Sequence, residues 1–205
     1  AALAAFGTAA LAGAVLAATT SWWLVVVGVA SVLAGWFYTG GAHPYGYLGL
    51  GEVFVFVFFG LVATVGTTFV VIERIPALTW LLGSAAGALA CALLVVNNLR
   101  DVPTDAAVGK RTLAVRLGDH RTRWLYSGLI AVAFGIVPIV ALPSGAPEAR
   151  PAVLITFAAA GFAVQPIRSV LGGAAGRDLI PVLGATGRVQ LAYGALMAIG
   201  VALSG

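Results

Sequence analysis

A single cysteine in 205 residues excludes an intrachain disulfide and a cysteine-rich zinc site. Cys91 lies inside an apolar run and reads as a packing residue. Charge is scarce too: Asp, Glu, Lys and Arg together make up 9% of the chain, against 61% hydrophobic residues and a mean hydropathy of +1.05. No water-soluble core absorbs that much apolar surface, so the composition points to a polytopic membrane protein. The one methionine is Met197, and the chain opens at Ala1 inside a hydrophobic run with no charged n-region or cleavage signal. The expectation is an N-terminally incomplete piece of a longer protein, forming a single transmembrane domain over residues 1–205.

What is abundant is apolar sequence in blocks of membrane length. A bilayer core needs about 20 apolar residues per helix, and seven runs meet that: 1–20, 21–38, 49–72, 77–98, 123–142, 150–169 and 181–204. The spacing predicts an all-α, polytopic transmembrane helical bundle. Turn chemistry falls at Ile75-Pro76 and over 143–147, and Gly172-Gly173-Ala174-Ala175-Gly176 reads as a flexible link. Seven spans place 39–48, 97–122 and 170–180 on one face. That face and its helix ends carry Arg100, Lys110, Arg111, Arg116, Arg121, Arg123, Arg168 and Arg177, whereas the other carries Arg74 and Arg150. The positive-inside rule makes the richer face cytoplasmic. Trp22, Trp23, Trp36, Tyr38, Trp80, Trp124 and Tyr126 fall near span ends, where amphipathic rings prefer the headgroup region.

On that face lies the one strongly polar island, Asn97 to Gly118, NNLRDVPTDAAVGKRTLAVRLG. If the span ending near 98 continues helically, Asn97, Asp101 and Asp105 recur at four-residue spacing on one side. Two carboxylates a turn apart can supply the protein's share of a Mg²⁺ shell, the rest coming from substrate phosphate and water. Pro103 threatens to break the helix between them. Arg100, Lys110 and Arg111 are placed to bind phosphate. The competing reading is a solvated loop whose charges pair locally.

A second polar cluster on the same face is Tyr38 to Glu52, YTGGAHPYGYLGLGE. Its hydroxyls and Glu52, an acid at the start of a span that cannot face lipid, suggest a pocket for an aromatic acceptor; the competing reading is an interfacial loop with snorkelling tyrosines. Arg188, inside the last span, is a functional candidate on its position alone and could line the same cavity with Gln190, or snorkel to the interface. Arg168, Arg177 and Asp178 are possible substrate-entry charges.

These two motifs, N-N-x-R-D-x-x-x-D-x-x-x-G-K-R-T-L-A-V-R-L-G and Y-T-G-G-x-x-P-Y-G-Y-x-G-L-G-E, resemble those of the UbiA superfamily of membrane aromatic prenyltransferases, most nearly its menaquinone branch. The resemblance runs from Ala1 to the C-terminus. It implies a nine-helix bundle around a cavity open to lipid, with two facing aspartate motifs. Asp101 and Asp105 match the second; an Asn-Asp-x-x-Asp element matching the first is not in this sequence, so the seven spans correspond to helices three to nine. His43 stands where related sequences often have Lys or Arg. The expectation is that this stretch alone is inactive.

The resemblance further implies Mg²⁺ at Asp101 and Asp105, diphosphate neutralised by Lys110, Arg111 and Arg100, and head-group positioning by Asn97 and Asn98. Tyr38, Tyr45, Tyr47 and Glu52 would bind the acceptor, with Arg188 beside them. The implied partners are polyprenyl diphosphate, 1,4-dihydroxy-2-naphthoate and the lipid bilayer, with no nucleic acid. The implied reaction is prenyl transfer with loss of CO₂, giving demethylmenaquinone. Two alternatives stand: a sister enzyme using another acceptor, such as 4-hydroxybenzoate or homogentisate, and a non-enzymatic transporter or lipid-binding protein.

Overall fold

The computed structural model describes residues 2–41, 44–142 and 149–205. Seven helices follow one another: α1 (Ala2–Thr19), α2 (Trp23–Thr39), α3 (Gly51–Ile72), α4 (Ala77–Ala107), α5 (Leu113–Ala141), α6 (Pro151–Leu171) and α7 (Gly176–Leu203). A 3₁₀ turn, Tyr45–Leu48, precedes α3, and no strand occurs among the described residues. Helices α3 to α7 are long and apolar enough to cross a membrane, while α1 and α2 are apolar but shorter. The protein is thus an all-helical, multi-pass membrane protein, which follows from the need to satisfy every backbone group internally within lipid. The expected turn over 143–147 and His43 lie outside the described residues.

Helix α4 is the centre of the bundle. Its small residues bury one face, with Ala85, Ala88 and Ala92 each at most 1% exposed, and its Leu89, Val95 and Val96 pack with Tyr126, Ile130 and Val137 of α5 and Val182 and Val189 of α7. On its other side α3 approaches closely through glycine. A Cβ on Gly60 would lie 2.5 Å from the Gly87 Cα and 2.7 Å from the Gly83 carbonyl oxygen, so only glycine permits this crossing. Gly60 sits in a π-helical stretch, Phe56–Val62, inside α3. Helix α2 buries none of its residues and packs on α1 and on the Tyr45–Leu48 turn.

The glycine-rich stretch between α6 and α7 is anchored rather than loose. Arg123 of α5, buried among apolar neighbours, donates Nη1 to the carbonyls of Val170 and Ala174, the latter at 2.9 Å. Its Nε and Nη2 meet the two carboxylate oxygens of Asp119 at 2.6 and 2.7 Å. One guanidinium therefore fixes the end of α6 and the following turn to α5, with the planar fork geometry that favours arginine over lysine.

Candidate functional site

The site is built where α4 outruns its apolar segment. The helix continues past Asn98 to Ala107 with Pro103 inside it, so Asp101 and Asp105 stand one turn apart on a single helix. The expected break does not occur: proline removes only the bond its own N–H would give, and the helix ends one turn later. The chain leaves at Gly109 with φ +76° and re-enters helix at Thr112, whose Oγ1 accepts from Val115 N at 3.4 Å as an N-cap. Both carboxylates have basic partners. Arg100 grips Asp101 with two bonds of 2.7 Å, and Lys110 Nζ lies 3.2 Å from Asp105 Oδ1. The hydrogen bond to Asp105 raises the Lys110 pKa above its ordinary value.

The two polar clusters, distant in sequence, meet here. Arg111 N donates to the Tyr47 carbonyl at 2.9 Å, and Lys110 Nζ stands 4.8 Å from the Tyr47 ring centroid. Gly49, at φ +78°, lets the chain pass so closely that an added Cβ would lie 3.0 Å from the Arg116 Cδ and 3.1 Å from the Arg111 carbonyl. Arg111 keeps an exposed side chain at this junction, while Arg116 folds back onto the Arg111 carbonyl at 3.1 Å.

Behind the junction is a cavity of about 490 Å³ between α2 and α3, lined by Ser31, Tyr38, Tyr45, Phe54, Phe58 and Phe59 among others. Tyr45 stacks on Phe54 at 3.8 Å between centroids, meets Tyr38 edge-on at 5.5 Å, and donates its hydroxyl to the Ala34 carbonyl at 2.6 Å. Burial, and then the neighbouring Tyr38, push the Tyr45 phenol above its usual pKa. Glu52 lies in the first turn of α3, 8% exposed, and its Oε1 accepts from Asn98 Nδ2 at 3.0 Å. Cys91 Sγ donates to the Glu52 backbone carbonyl at 3.0 Å, so the lone cysteine pins this turn as well as packing. The Tyr38 hydroxyl is within electrostatic reach of Glu52, Lys110 and Asp105.

Asn97 and Asn98 are thereby split: Asn98 serves Glu52, while Asn97 lines a second cavity of about 500 Å³ with Gln190, Leu183, Val55 and Phe59. Arg188 does not join them. Gln190 reaches that cavity, but Arg188 is exposed and does not line it; residues two apart on a helix point some 200° apart, so the two could not share one wall. Sequence reading missed Phe54 and Phe58, while Gln190, named beside Arg188 as a possible lining residue, does line a cavity. The aromatic pair was hidden within a uniformly apolar run. Arg168 borders a cleft between α5 and α6 and stands apart from Asp101 and Asp105.

Hard oxygen donors one turn apart suit Mg²⁺, which takes one or two carboxylates and completes its shell with phosphate and water. Asp101 and Asp105 fit that share, each with a base ready to be exchanged for a cation. Among the described residues no group of three or more His, Cys, Asp or Glu is assembled around a common point.

The chain matches the UbiA prenyltransferase family over residues 1–179. It is 47% identical over 193 residues to the 1,4-dihydroxy-2-naphthoate octaprenyltransferase of Mycobacterium tuberculosis, covering 94% of this chain and 64% of that protein. The protein of the same name from Mycobacterium leprae is 41% identical over 195 residues, with 95% and 64% covered. That from Bacillus subtilis is 29% identical over 203 residues, with 99% and 64% covered. The chain therefore spans just under two thirds of these relatives' length. No solved structure matches it.

Proposed function

The chain belongs to the UbiA prenyltransferase family, and from that premise we propose that the whole protein transfers a polyprenyl group from polyprenyl diphosphate to 1,4-dihydroxy-2-naphthoate with loss of CO₂, in menaquinone biosynthesis. The observation that carries the reading is the Arg111–Tyr47 backbone bond, which unites the Asp101/Asp105/Lys110 cluster with the aromatic cavity. Relatives named for this acceptor support it.

In this proposal Asp101 and Asp105 hold Mg²⁺ on the cytoplasmic face of the cell membrane, a sidedness supported by the basic residues clustered there. Bound Mg²⁺ supplies charge neutralisation for the diphosphate as it departs. Arg100 and Lys110, released from their carboxylates, turn to the diphosphate oxygens, and Arg111 adds a third cation. The naphthoate ring stacks among Tyr38, Tyr45 and Phe54, with Tyr47 closing the mouth above. The apolar walls exclude water, which would otherwise capture an allylic cation.

The test is Asp101→Ala and Asp105→Ala in the full-length protein, assayed for prenyl transfer across a Mg²⁺ titration. Each should lower turnover by about 100-fold or more, the scale of losing a charge-stabilising group. Undiminished turnover in both variants would sink the metal assignment. Release of CO₂ from the acceptor distinguishes the naphthoate from acceptors that keep their carboxyl group.

A further inference from the structure

Helices α5 and α6 are pinned together at two levels and stand apart between them. At one end the Arg123 guanidinium of α5 donates to the carbonyls of Val170 and Ala174, where α6 closes. Toward the other, Phe134 of α5 stacks on Phe157 of α6 with ring centroids 6.2 Å apart, and Tyr193 of α7 braces Phe134 edge-on at 5.2 Å. The side chains between include Ala131, Ala160 and Ala163, too small to fill the gap, and a cleft of about 430 Å³ is left. Because its width is set from both ends, the cleft is built into the fold.

Its lining changes character along its length. Ser127 and Arg168 stand at the Arg123 end, the two phenylalanines stand at the other, and every lining residue between them is apolar. From Ser127 to Phe134 the helix rises about 10 Å. Arg100, Lys110 and Arg123 each have a carboxylate partner, whereas the exposed Arg168 guanidinium has no ion pair among the described residues. Trp124, exposed and one turn before Ser127, shares the helical stripe that continues through Ala131 and Phe134. A tryptophan at the end of a span sits at headgroup level.

We propose that this cleft binds an anionic phospholipid, with one acyl chain laid between α5 and α6 and the phosphate held by Arg168. The site is separate from the prenyl-transfer chemistry proposed above.

Charge complementarity selects the occupant. An arginine fork matches two phosphate oxygens at once, and an unpaired cation at the mouth of an apolar slot suits an amphiphile whose charge and chain come in the same order. Basic pockets between membrane helices take acidic head groups in this way. A zwitterionic lipid brings its own ammonium to the same place, so it gains less from Arg168 than a lipid of net negative charge. A free anion would meet the guanidinium and leave the apolar walls unfilled.

The experiment is a native mass-spectrometric titration of the full-length protein in detergent with phosphatidylglycerol or phosphatidylcholine of identical acyl chains, reading the dissociation constant of the first bound lipid. Wild type should hold phosphatidylglycerol about fivefold more tightly or better, the scale of one arginine at an acidic lipid. Arg168→Gln should bring the ratio of the two constants near one, and as an exposed residue it can be changed with the fold intact. Ala131→Phe, which fills the cleft from an exposed position, should weaken both lipids. Arg177→Gln, at an exposed arginine of the same end that does not line the cleft, should leave the ratio as in wild type. Equal binding of the two lipids by wild type, a preference that survives Arg168→Gln, or one lost equally in Arg177→Gln would overturn the site. So would displacement of phosphatidylglycerol by inorganic phosphate, which marks a bare anion site, or undiminished binding to Ala131→Phe, which places the lipid elsewhere. These are binding measurements, so they stand or fall independently of the Asp101 and Asp105 variants read by turnover.

Discussion

Replacing Arg123 by leucine should loosen the end of the bundle where α6 turns into α7, by an amount the geometry bounds. The guanidinium donates to two carbonyls, Val170 and Ala174, and to both oxygens of Asp119. Each hydrogen bond from a charged group contributes about 1.5–3 kcal/mol net. The Asp119 side chain is 62% exposed, so water replaces its partner and the ion pair itself adds only about 0–1 kcal/mol. Leucine refills part of the buried volume, and the freed turn can hydrate one carbonyl. The net loss should then be about 2–4 kcal/mol, below the sum of the separate bonds because such terms are not additive. Arg123→Lys, which reaches one carbonyl, should lose roughly half of that, and Asp119→Asn less than about 1 kcal/mol. The assay is equilibrium unfolding in mixed micelles followed by tryptophan fluorescence, with limited proteolysis at 172–176 as a local readout. If Asp119→Asn destabilised as much as Arg123→Leu, the ion pair and not the carbonyl anchoring would be the source. A loss under about 0.5 kcal/mol for Arg123→Leu would refute the reasoning altogether.

Gly60→Ala should push α3 away from α4, because the new methyl meets backbone atoms at 2.5 and 2.7 Å; overpacking of this kind costs about 1–3 kcal/mol, whereas Gly66→Ala, with nothing within 4 Å of its Cβ, should be silent in the same unfolding measurement. The Lys110–Asp105 contact carries a pH signature. The folded Lys110 pKa lies above its unfolded value, so its stabilisation is complete below the ordinary lysine pKa and disappears as pH rises through the folded one. Lys110→Met should remove that alkaline component of the stability–pH curve while leaving its acid side; an unaltered alkaline limb would show that the contact does not stabilise the fold.

The helices were legible in the sequence because apolar runs of membrane length alternate with polar breaks, and each of the seven expected spans is a helix. Their ends were less so. Hydropathy marks where lipid stops, not where hydrogen bonding stops, so α4 runs past 98 to Ala107, and a first helical stretch of α5 starts at Leu113 and breaks at Gly118, φ +75°, before the run expected from 123. The Asp101/Asp105 pair was readable from spacing alone, as one helical turn separates them. Glu52 with Asn98, and Tyr47 with Arg111, were not, since nothing local in either sequence encodes its partner. Gly172 to Gly176 looked flexible because its composition is permissive; the residue that restrains it, Arg123, had been visible only as one more positive charge.

The backbone bond from Arg111 to Tyr47 also bears on how such a site comes into being. It closes a loop containing both α3 and α4, and closure of a long loop must precede any return from the contacts it allows. The Asp101/Asp105 pair is set by a single helix and is in place once α4 forms. The aromatic cavity and its acid become adjacent to it only when two spans have been threaded, packed and brought back to the same surface. The junction therefore needs both spans to be threaded and packed, and a chain stalled partway has the Asp101/Asp105 pair without the aromatic cavity beside it.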